Sequence, residues 1–315
     1  MKTKFILLIT TIFFACMNQS KIPPDASMKP LELTMHNDTR IDNYYWMRLT
    51  DEQKNAKTYD SQTQEVVDYI DEENNYTQSN LSHTKKLQKT LYNEMISRIK
   101  KDDESVPYYK NGYYYYSRFE EKKEYRIHCR KKGSLEAKEE IILNENELAK
   151  GYDYFAIGGR SISPDNKWLA YGVDTLSRRI YEVHFKNLET GEVLNKTISN
   201  STGSVAWAND NQTVFYTSKN ETTLLGEKIW RHKIGNETPD EMIYHEEDET
   251  YYNGVYRSKS GKFIIIYHSS TLISDYQILD ASNPNGRFRR FTPRDFDHEY
   301  SIDHYNDKFY IITNW

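Results

Sequence analysis

The sequence lacks several patterns that would indicate a bound cofactor or a polyanionic partner. Its formal charge is −5, and lysine and arginine are spread along the chain with no long basic stripe, which argues against nucleic-acid binding. No H-x-x-x-H pair lies in the helical segment, so no metal is predicted. Glycine-rich phosphate loops are also missing, because Gly158-Gly159 stands alone before a predicted strand. We therefore predict no cofactor.

A long hydrophobic run is missing as well. The largely apolar stretch Phe5–Ala15 has eleven residues, too few to span a hydrocarbon core of ~30 Å as a helix. It follows Lys2 and Lys4 and precedes Cys16, which is typical of an export signal over residues 1–16. The segment ending at Cys16 resembles a bacterial lipobox, so we expect lipidation of Cys16 and a periplasmic or membrane-anchored lipoprotein. The alternatives are simple secretion, an uncleaved anchor, or no signal.

Cysteine is scarce, since Cys16 and Cys129 are the two thiols among 315 residues. Lipid attached to Cys16 would leave Cys129 as the remaining thiol, and no intrachain disulfide would then form. The pattern around Cys129 favours a partly buried small apolar residue over a reactive one.

The chain from residue 17 to residue 104 is predicted to form an N-terminal arm followed by two helices. Pro23, Pro24 and Pro30 exclude a regular helix near the start, and the aromatic cluster 44–48 should anchor the arm. Between residues 60 and 100 there is no proline or glycine. The first helix is expected from about 61 to 78 through Val66, Val67 and Ile70. The second has an apolar face on which Leu87, Leu91, Met95 and Ile99 recur every four residues.

After residue 101 the sequence reads as all-β, and one pattern repeats. Each copy has a short strand, a turn rich in Asn, Asp, Gly or Lys, and a second strand with aromatic residues. The five copies cover Val106 to Ser117, Ile162 to Tyr171, Val205 to Thr217, Val255 to Tyr267 and Ile302 to Thr313. Measured between the turns, the separations are 55, 45, 50 and 46 residues.

This period predicts a β-propeller over residues 105–315. One four-stranded blade with its connections uses about 40–50 residues. The last copy stops at Trp315, two strands into its blade, so the sequence predicts an incomplete array of about four to five blades. A large β-sandwich with coincidental spacing is the alternative fold.

The sequence gives little support for any catalytic residue. The nearest approach to the G-x-S-x-G motif of serine hydrolases is Gly159-Arg160-Ser161-Ile162-Ser163. It lacks the second glycine and runs into a strand where a helix should begin. Ser161 is therefore not expected to be a nucleophile, and we predict no catalytic residue in this chain.

The remaining titratable clusters favour structural roles. His298 and His304 are expected to be loop and strand-edge side chains. The carboxylates of residues 102–104, 139–140 and 246–249 are expected to be solvated, with a place in a propeller tunnel or against a partner domain as the alternative.

Several segments together resemble oligopeptidase B of the prolyl oligopeptidase family of serine peptidases. They are Asp42-Asn43-Tyr44-Tyr45-Trp46-Met47-Arg48, Arg98-Ile99 to Pro107-Tyr108, Gly112-Tyr113-Tyr114-Tyr115-Tyr116-Ser117-Arg118, Cys129-Arg130-Lys131-Lys132-Gly133-Ser134, Ser163-Pro164-Asp165-Asn166 with Leu169-Ala170-Tyr171, Asp174-Thr175 to Ser177-Arg178-Arg179, and Lys186-Asn187-Leu188-Glu189-Thr190-Gly191-Glu192. The likeness runs from about residue 29 to residue 314. One departure is Leu49-Thr50, where the family often has acidic residues.

The resemblance implies a seven-bladed propeller that covers an α/β-hydrolase domain. The intact enzyme would cleave short peptides after Lys or Arg, with its Ser, His and Asp in the hydrolase domain. That domain is absent from this sequence, so the resemblance implies that the chain contributes substrate filtering without catalysis. The alternative is a stand-alone exported propeller that binds peptides or a protein partner.

Overall fold

The computed structural model describes residues 22–315. The export segment and Cys16 lie outside this range. The described chain divides into two compact units, one up to residue 99 and the other from residue 100 onward. Among the helices of residues 22–315, none combines the length and apolar character needed to cross a bilayer.

The first unit consists of one hairpin and three helices. Its elements are β1 (Leu31–Met35), β2 (Asp38–Asp42), a 3₁₀ turn (Tyr45–Met47), α1 (Asp51–Lys54), α2 (Ser61–Leu81), a 3₁₀ turn (Ser82–Thr84) and α3 (Lys85–Ser97). The β1–β2 hairpin was not predicted. His36 and Asn37 form its two-residue turn with φ of 53° and 64°, and the asparagine tolerates this left-handed conformation well.

The two predicted helices are present. Asp60 caps α2 by accepting a hydrogen bond from the Thr63 backbone N–H at 2.7 Å, and Val66 is buried on the inner face of α2. The apolar stripe of α3 is exposed along its length, with Leu87, Leu91 and Met95 each open to solvent. The arm is also anchored as expected, since the Trp46 indole N–H donates to the Ser27 carbonyl at 2.8 Å.

The second unit is a series of antiparallel sheets. Its strands are β3 (Tyr108–Lys110), β4 (Tyr113–Arg118), β5 (Ile127–Lys132), β6 (Glu139–Asn144), β7 (Ala156–Ile162), β8 (Trp168–Asp174), β9 (Tyr181–Asn187), β10 (Ile198–Trp207), β11 (Thr213–Lys219), β12 (Gly226–Lys233), β13 (Glu241–His245), β14 (Tyr252–Arg257), β15 (Phe263–Ser269), β16 (Ser274–Asp280), β17 (Arg289–Arg290), β18 (Tyr300–Tyr305) and β19 (Lys308–Thr313). All five predicted hairpins are confirmed as β3–β4, β7–β8, β10–β11, β14–β15 and β18–β19.

One helical turn interrupts this all-β region. It is α4 (Glu145–Leu148), which the sequence reading missed. The Asn144 side chain caps it by accepting from the Asn146 backbone N–H at 3.1 Å.

The strands form successive blades of a β-propeller, as the period predicted. Blade 1 is β3–β6, and blade 2 is β7–β9 with the first part of β10. Blade 3 is the second part of β10 with β11–β13, blade 4 is β14–β17, and β18–β19 form the blade 5 hairpin. Within residues 100–315 no strand pairing joins β18–β19 to blade 1, so the array is open.

Strand β10 belongs to two blades. Its start pairs with β9 at Ile198 and Ser201, and its end pairs with β11 from Val205 to Trp207. The register shifts between these halves, at Gly203 with a φ of +91°. Blades 2 and 3 are thereby fused into one seven-stranded sheet.

The core lies in layers between neighbouring blades. Leu143 of blade 1 packs on Leu169 and Tyr171 of blade 2. Phe185 of blade 2 meets Trp207 of blade 3 edge-to-face, with ring centroids 6.0 Å apart. Burying one such large side chain contributes about 1.5–3 kcal/mol, so each blade is stabilised mainly by the next one.

The hairpin turns need residues that tolerate positive φ, which explains their composition. Asn111, Asn166, Asn211, Gly261 and Asn306 have φ between 47° and 72°. The turns also contact each other from blade to blade. The Asn166 side-chain amide donates to the Asn111 carbonyl at 2.9 Å.

Candidate functional site

The candidate site is a cavity of about 260 Å³ between blades 1 and 2. It lies between β3 and β7, which are the edge strands of their sheets. Its lining is Ser105, Tyr108, Lys110, Asn111, Tyr115, Tyr116, Ser117, His128, Cys129, Ile142, Arg160, Ser161, Ile162, Ser163, Asn166 and Leu169. A lining with so many hydroxyl and amide groups suits a polar ligand such as a peptide.

Two tyrosines on neighbouring strands form one wall of the cavity. Tyr108 and Tyr115 are cross-strand partners, and their rings stack with centroids 5.6 Å apart. The Tyr115 hydroxyl donates to the Asn166 side-chain oxygen at 3.1 Å. Because Asn166 belongs to the blade 2 turn, this bond fixes the tyrosine wall against the second blade.

Arg130 supports the same wall from behind. Its Nη1 donates to the Asn166 carbonyl at 2.7 Å and its Nε donates to Glu140 at 2.7 Å. The guanidinium also lies over the Tyr113 ring, 4.2 Å from the centroid. Arg130 is buried and bonded to both Asn166 and Glu140, so it holds the wall in place.

Glu145, His128 and Arg160 form a chain of contacts at the far end of the cavity. His128 Nε2 lies 2.5 Å from the Glu145 carboxylate, and its Nδ1 contacts Arg160 Nη1. A guanidinium only donates, so Nδ1 must accept and Nε2 must carry the proton. Burial lowers the pKa of His128, although Glu145 opposes this, and the ring is therefore neutral near neutral pH.

Ser161 lies on the cavity wall near the end of β7, which leads into the turn to β8 and not into a helix. The nearby imidazole is His128, and both of its ring nitrogens are engaged by Glu145 and Arg160. Ser161 therefore has no base from this histidine that would activate its hydroxyl. The adjacent Gly158-Gly159 lies inside β7, not before it as the sequence suggested.

Cys129 is a fully buried free thiol on β5. Burial raises the pKa of Cys129 to about 12, so the group stays protonated and unreactive near neutral pH. The structure thus places Cys129 in the core beneath the cavity, in keeping with the apolar role expected for it.

A serine–histidine contact joins blades 4 and 5. His304 Nδ1 lies 2.8 Å from the Ser260 hydroxyl, and the Ser260 backbone N–H donates to the His304 carbonyl at 2.8 Å. His304 lies on β18, which pairs only with β19 among residues 22–315, and its side chain is 5% exposed between Phe263 and Phe309. The contact fixes a turn; His298 lies in a loop and stacks on Trp315.

The family to which this architecture belongs follows from comparison with known proteins. The model of the prolyl oligopeptidase N-terminal β-propeller domain matches residues 24–315. The chain belongs to this family.

Two curated relatives in the family are peptidases. Dipeptidyl aminopeptidase BI of Pseudoxanthomonas mexicana is 37% identical, with 98% of this chain and 44% of that protein covered. Protease 2 of Moraxella lacunata is 30% identical, with 92% of this chain and 42% of that protein covered. The chain thus spans less than half the length of these relatives.

Two solved structures share the fold. Oligopeptidase B from Leishmania major matches with a TM-score of 0.80 and 25% identity, over 93% of this chain and 43% of that one. Oligopeptidase B from Trypanosoma brucei, with covalently bound antipain, matches with a TM-score of 0.79 and 26% identity, over 93% and 42% of the two chains.

This member of the prolyl oligopeptidase propeller family also has a buried charge network that joins blade 4 to Glu246, directly after the last strand of blade 3. Asp275 is fully buried and accepts from Arg290 at 2.9 Å and from Arg294 at 2.5 Å. Arg294 also donates to Glu246 at 2.7 Å. The Glu246 side chain is 8% exposed, so the expectation of a solvated carboxylate is wrong for this residue. Glu247, Asp248 and Glu249 are exposed as expected.

Glu139 is a further departure from the solvated pattern. Its carboxylate accepts from Arg118 at 2.9 Å and from the Tyr116 hydroxyl at 2.5 Å. These bonds, led by that of Arg118, lower the pKa of Glu139 to about 2. Asp102, Asp103 and Glu104 remain exposed. Within residues 22–315 no group of three or more His, Cys, Asp or Glu side chains is arranged to hold a metal ion.

Sequence reasoning missed the residues that define the cavity. Arg160 was considered only as part of a failed hydrolase motif, and His128 was not singled out. The available signal was the position of Arg160 two residues before the second copy of the repeat, since the first strand of a copy can become a sheet edge in this architecture. Nothing in the sequence pairs it with His128, which lies 32 positions away.

Proposed function

We propose that this chain is the propeller part of a serine-type oligopeptidase of the oligopeptidase B type. In the intact protein it admits short peptides to the active site, and cleavage follows Lys or Arg. The observation that carries this proposal is the match of 93% of the chain to two oligopeptidase B structures at TM-scores of 0.80 and 0.79.

The proposed partner is an α/β-hydrolase domain carrying the serine, histidine and aspartate of the reaction. The exposed apolar stripe of α3 supports this, because Leu87, Leu91 and Met95 together form a contiguous surface that water solvates poorly. The geometry around Ser161 also supports a nucleophile supplied from elsewhere, since His128 is already engaged on both ring nitrogens.

The first test uses the 315-residue chain alone. We expect no release of aminomethylcoumarin from benzyloxycarbonyl-Arg-Arg-aminomethylcoumarin and no labelling by a fluorophosphonate probe. Labelling that is lost in a Ser161→Ala variant would instead place the nucleophile in this chain and contradict the proposal.

The second test supplies a hydrolase domain. In the Pseudoxanthomonas mexicana peptidase, the segment that aligns with this chain is replaced by residues 24–315, and the chimera is assayed on two reporters. Hydrolysis of the blocked arginyl reporter supports an oligopeptidase B type. Hydrolysis only of a dipeptidyl reporter with a free N-terminus rejects that type. A folded but inactive chimera, with peptide binding by the chain alone, favours the stand-alone binding protein.

We further propose that the protein is exported and tethered to a membrane through lipid on Cys16. The charged and apolar pattern of residues 1–16 supports this. Metabolic labelling with an alkynyl fatty acid in a bacterial host is expected to mark the wild-type protein and not Cys16→Ala. Equal labelling of both would reject the proposal, and Cys129→Ala is the control for the buried thiol.

A further inference from the structure

Arg160 lies at the boundary of two cavities along β7. On one side is the 260 Å³ cavity between blades 1 and 2, and on the other is a second cavity of about 300 Å³. The two differ in charge. The second is lined by Glu124 and Glu145 together with two arginines, whereas the first has Arg160 and Lys110 and no aspartate or glutamate in its lining.

The cations that line these two cavities have no ion-pair partner among the described residues. Among residues 22–315, no carboxylate oxygen lies within 4.0 Å of Arg160, Lys110 or the neighbouring Arg126. Burial lowers the pKa of Arg160, and the positive charge of Arg126 adds to this effect against the opposing influence of Glu145. A negatively charged group in the cavity would attract the Arg160 guanidinium and oppose both effects.

His128 positions the guanidinium. Glu145 holds the Nε2–H tautomer. The Nδ1 lone pair therefore faces Arg160 and accepts a hydrogen bond from its Nη1–H. Only part of the guanidinium is used in this way. The remaining N–H groups form a planar fork, which matches the two oxygens of a carboxylate.

The cavity walls favour a peptide as the source of the carboxylate. Both β3 and β7 are edge strands, and the N–H and C=O groups along a free strand edge can pair with an extended peptide. The stacked rings of Tyr108 and Tyr115 offer an aromatic surface for a neighbouring side chain.

We propose that the cavity between blades 1 and 2 binds a carboxylate group of a peptide through Arg160 and Lys110, with His128 as a positioning residue. The site belongs to this chain alone, and its existence does not require that the proposed peptidase function is correct. Binding to the isolated chain and hydrolysis by the chimera therefore fail independently.

The experiment is calorimetric titration of the purified 315-residue chain at low ionic strength. The probes are acetyl-Ala-Ala-Ala with a free C-terminal carboxylate, the same peptide as the amide, and inorganic phosphate. We expect the carboxylate peptide to bind at least about tenfold more tightly than the amide, equivalent to about 1.4 kcal/mol. Equal affinities for the two peptides, or phosphate binding without binding of the carboxylate peptide, would overturn the proposal.

Variants identify the residues. Arg160→Ala and Lys110→Ala should each remove most of the preference for the carboxylate, and Lys110 is exposed, so its replacement leaves the fold intact. The matched control is Arg178→Ala, an exposed cation in the β8–β9 loop of blade 2. If Arg178→Ala weakens binding as much as Arg160→Ala, the effect is one of net charge and the site is rejected.

The role of His128 needs its own measurement. His128→Leu should reduce the carboxylate-to-amide affinity ratio, whereas His128→Gln, which retains an acceptor, should restore it. Both variants are checked by thermal unfolding monitored by circular dichroism. The same ratio in both folded variants would show that His128 does not position Arg160.

Discussion

The Asn211 side-chain oxygen accepts a hydrogen bond from the Asp165 backbone N–H at 2.9 Å, and the two residues lie in the turns of neighbouring blades. Similar contacts join Asn166 to Asn111 and Asp303 to Lys259. In the first three hairpins, the asparagines that shape the turns therefore also connect one turn to the next. A residue chosen for its backbone conformation gains a second role in holding blades together.

Replacing Asn211 with glycine should weaken this connection without straining the turn. Glycine accepts the φ of 59°, so the change removes mainly the inter-blade bond, and we expect a loss of about 1 kcal/mol in the free energy of unfolding by urea. The control is Asn306→Gly, at a φ of 48°, whose side chain makes no hydrogen bond within residues 22–315. Equal destabilisation by both changes would assign the effect to the backbone.

Gly203 should tolerate no side chain. A Cβ atom there would lie 2.8 Å from the Tyr181 ring, and its φ of +91° disfavours other residues. We expect Gly203→Ala to cost about 2–4 kcal/mol in urea unfolding, from backbone strain and overpacking together. Gly191→Ala, with a φ of +82° and no atom within 4 Å, measures the backbone cost alone and should be milder. A Gly203 variant no less stable than the Gly191 variant would contradict the crowding at β10.

The Glu139 ion pair should make stability depend on pH in the acidic range. The folded-state pKa of about 2 is below the ordinary value of 4.5, so the stabilisation is complete above 4.5 and is lost as pH falls toward 2. This loss amounts to about 3 kcal/mol at most. In urea unfolding at several pH values, Glu139→Gln should be less stable than wild type near neutral pH. Below pH 4.5 its free energy of unfolding should change less with pH than that of the wild type. The exposed Glu192→Gln is the control, and a matching profile for it would rule out Glu139 as the cause.

Two buried histidines should show opposite tautomers. His268 Nδ1 lies 2.5 Å from the Asn253 side-chain oxygen, so Nδ1 carries the proton, whereas His128 carries it on Nε2. Burial lowers the pKa of His268 to about 4, so its ring should remain neutral at about pH 5.5. Nitrogen-15 chemical shifts of the imidazole rings, assigned with His268→Gln and His128→Gln, would measure both. A protonated His268 ring at that pH would contradict the described network.

Because the folded pKa of His268 is below its ordinary value of 6.5, the unfolded chain takes up a proton first as pH falls. The contribution of His268 to stability is therefore complete above about pH 6.5 and declines toward pH 4. This window overlaps that of Glu139 only between about pH 4.5 and 4, so the two contributions can be separated in the same series of urea titrations.

The repeat was predictable because its signals are local. A turn such as Asn111-Gly112 needs left-handed backbone in adjacent residues, and only a few residue types provide it, so the hairpins and their period are visible in the sequence. The two helices were visible for a similar reason. The first hairpin, Leu31–Met35 with Asp38–Asp42, was missed although apolar residues alternate along its first strand, because each strand has five residues and both are largely exposed.

The site was not predictable because its geometry depends on contacts between blades. His128 and Arg160 meet only when the first strand of blade 2 packs beside blade 1, and no periodicity reports that pairing. For Glu246, the sequence predicted a solvated carboxylate and the structure shows a buried one. Its sequence neighbours are solvated, but Arg294, 48 positions away, draws this one carboxylate into a buried network.

The shared strand β10 makes the junctions of the propeller unequal. Blades 2 and 3 are joined by continuous backbone pairing, whereas blades 1 and 2 meet through side chains and turns. Amide hydrogens of β10 and β11 should therefore exchange with solvent as one slow cooperative group, while those of blade 1 can exchange through a separate opening. The cavity proposed to bind a peptide carboxylate lies at this weaker junction, so a bound peptide would hold blades 1 and 2 together and slow their separation.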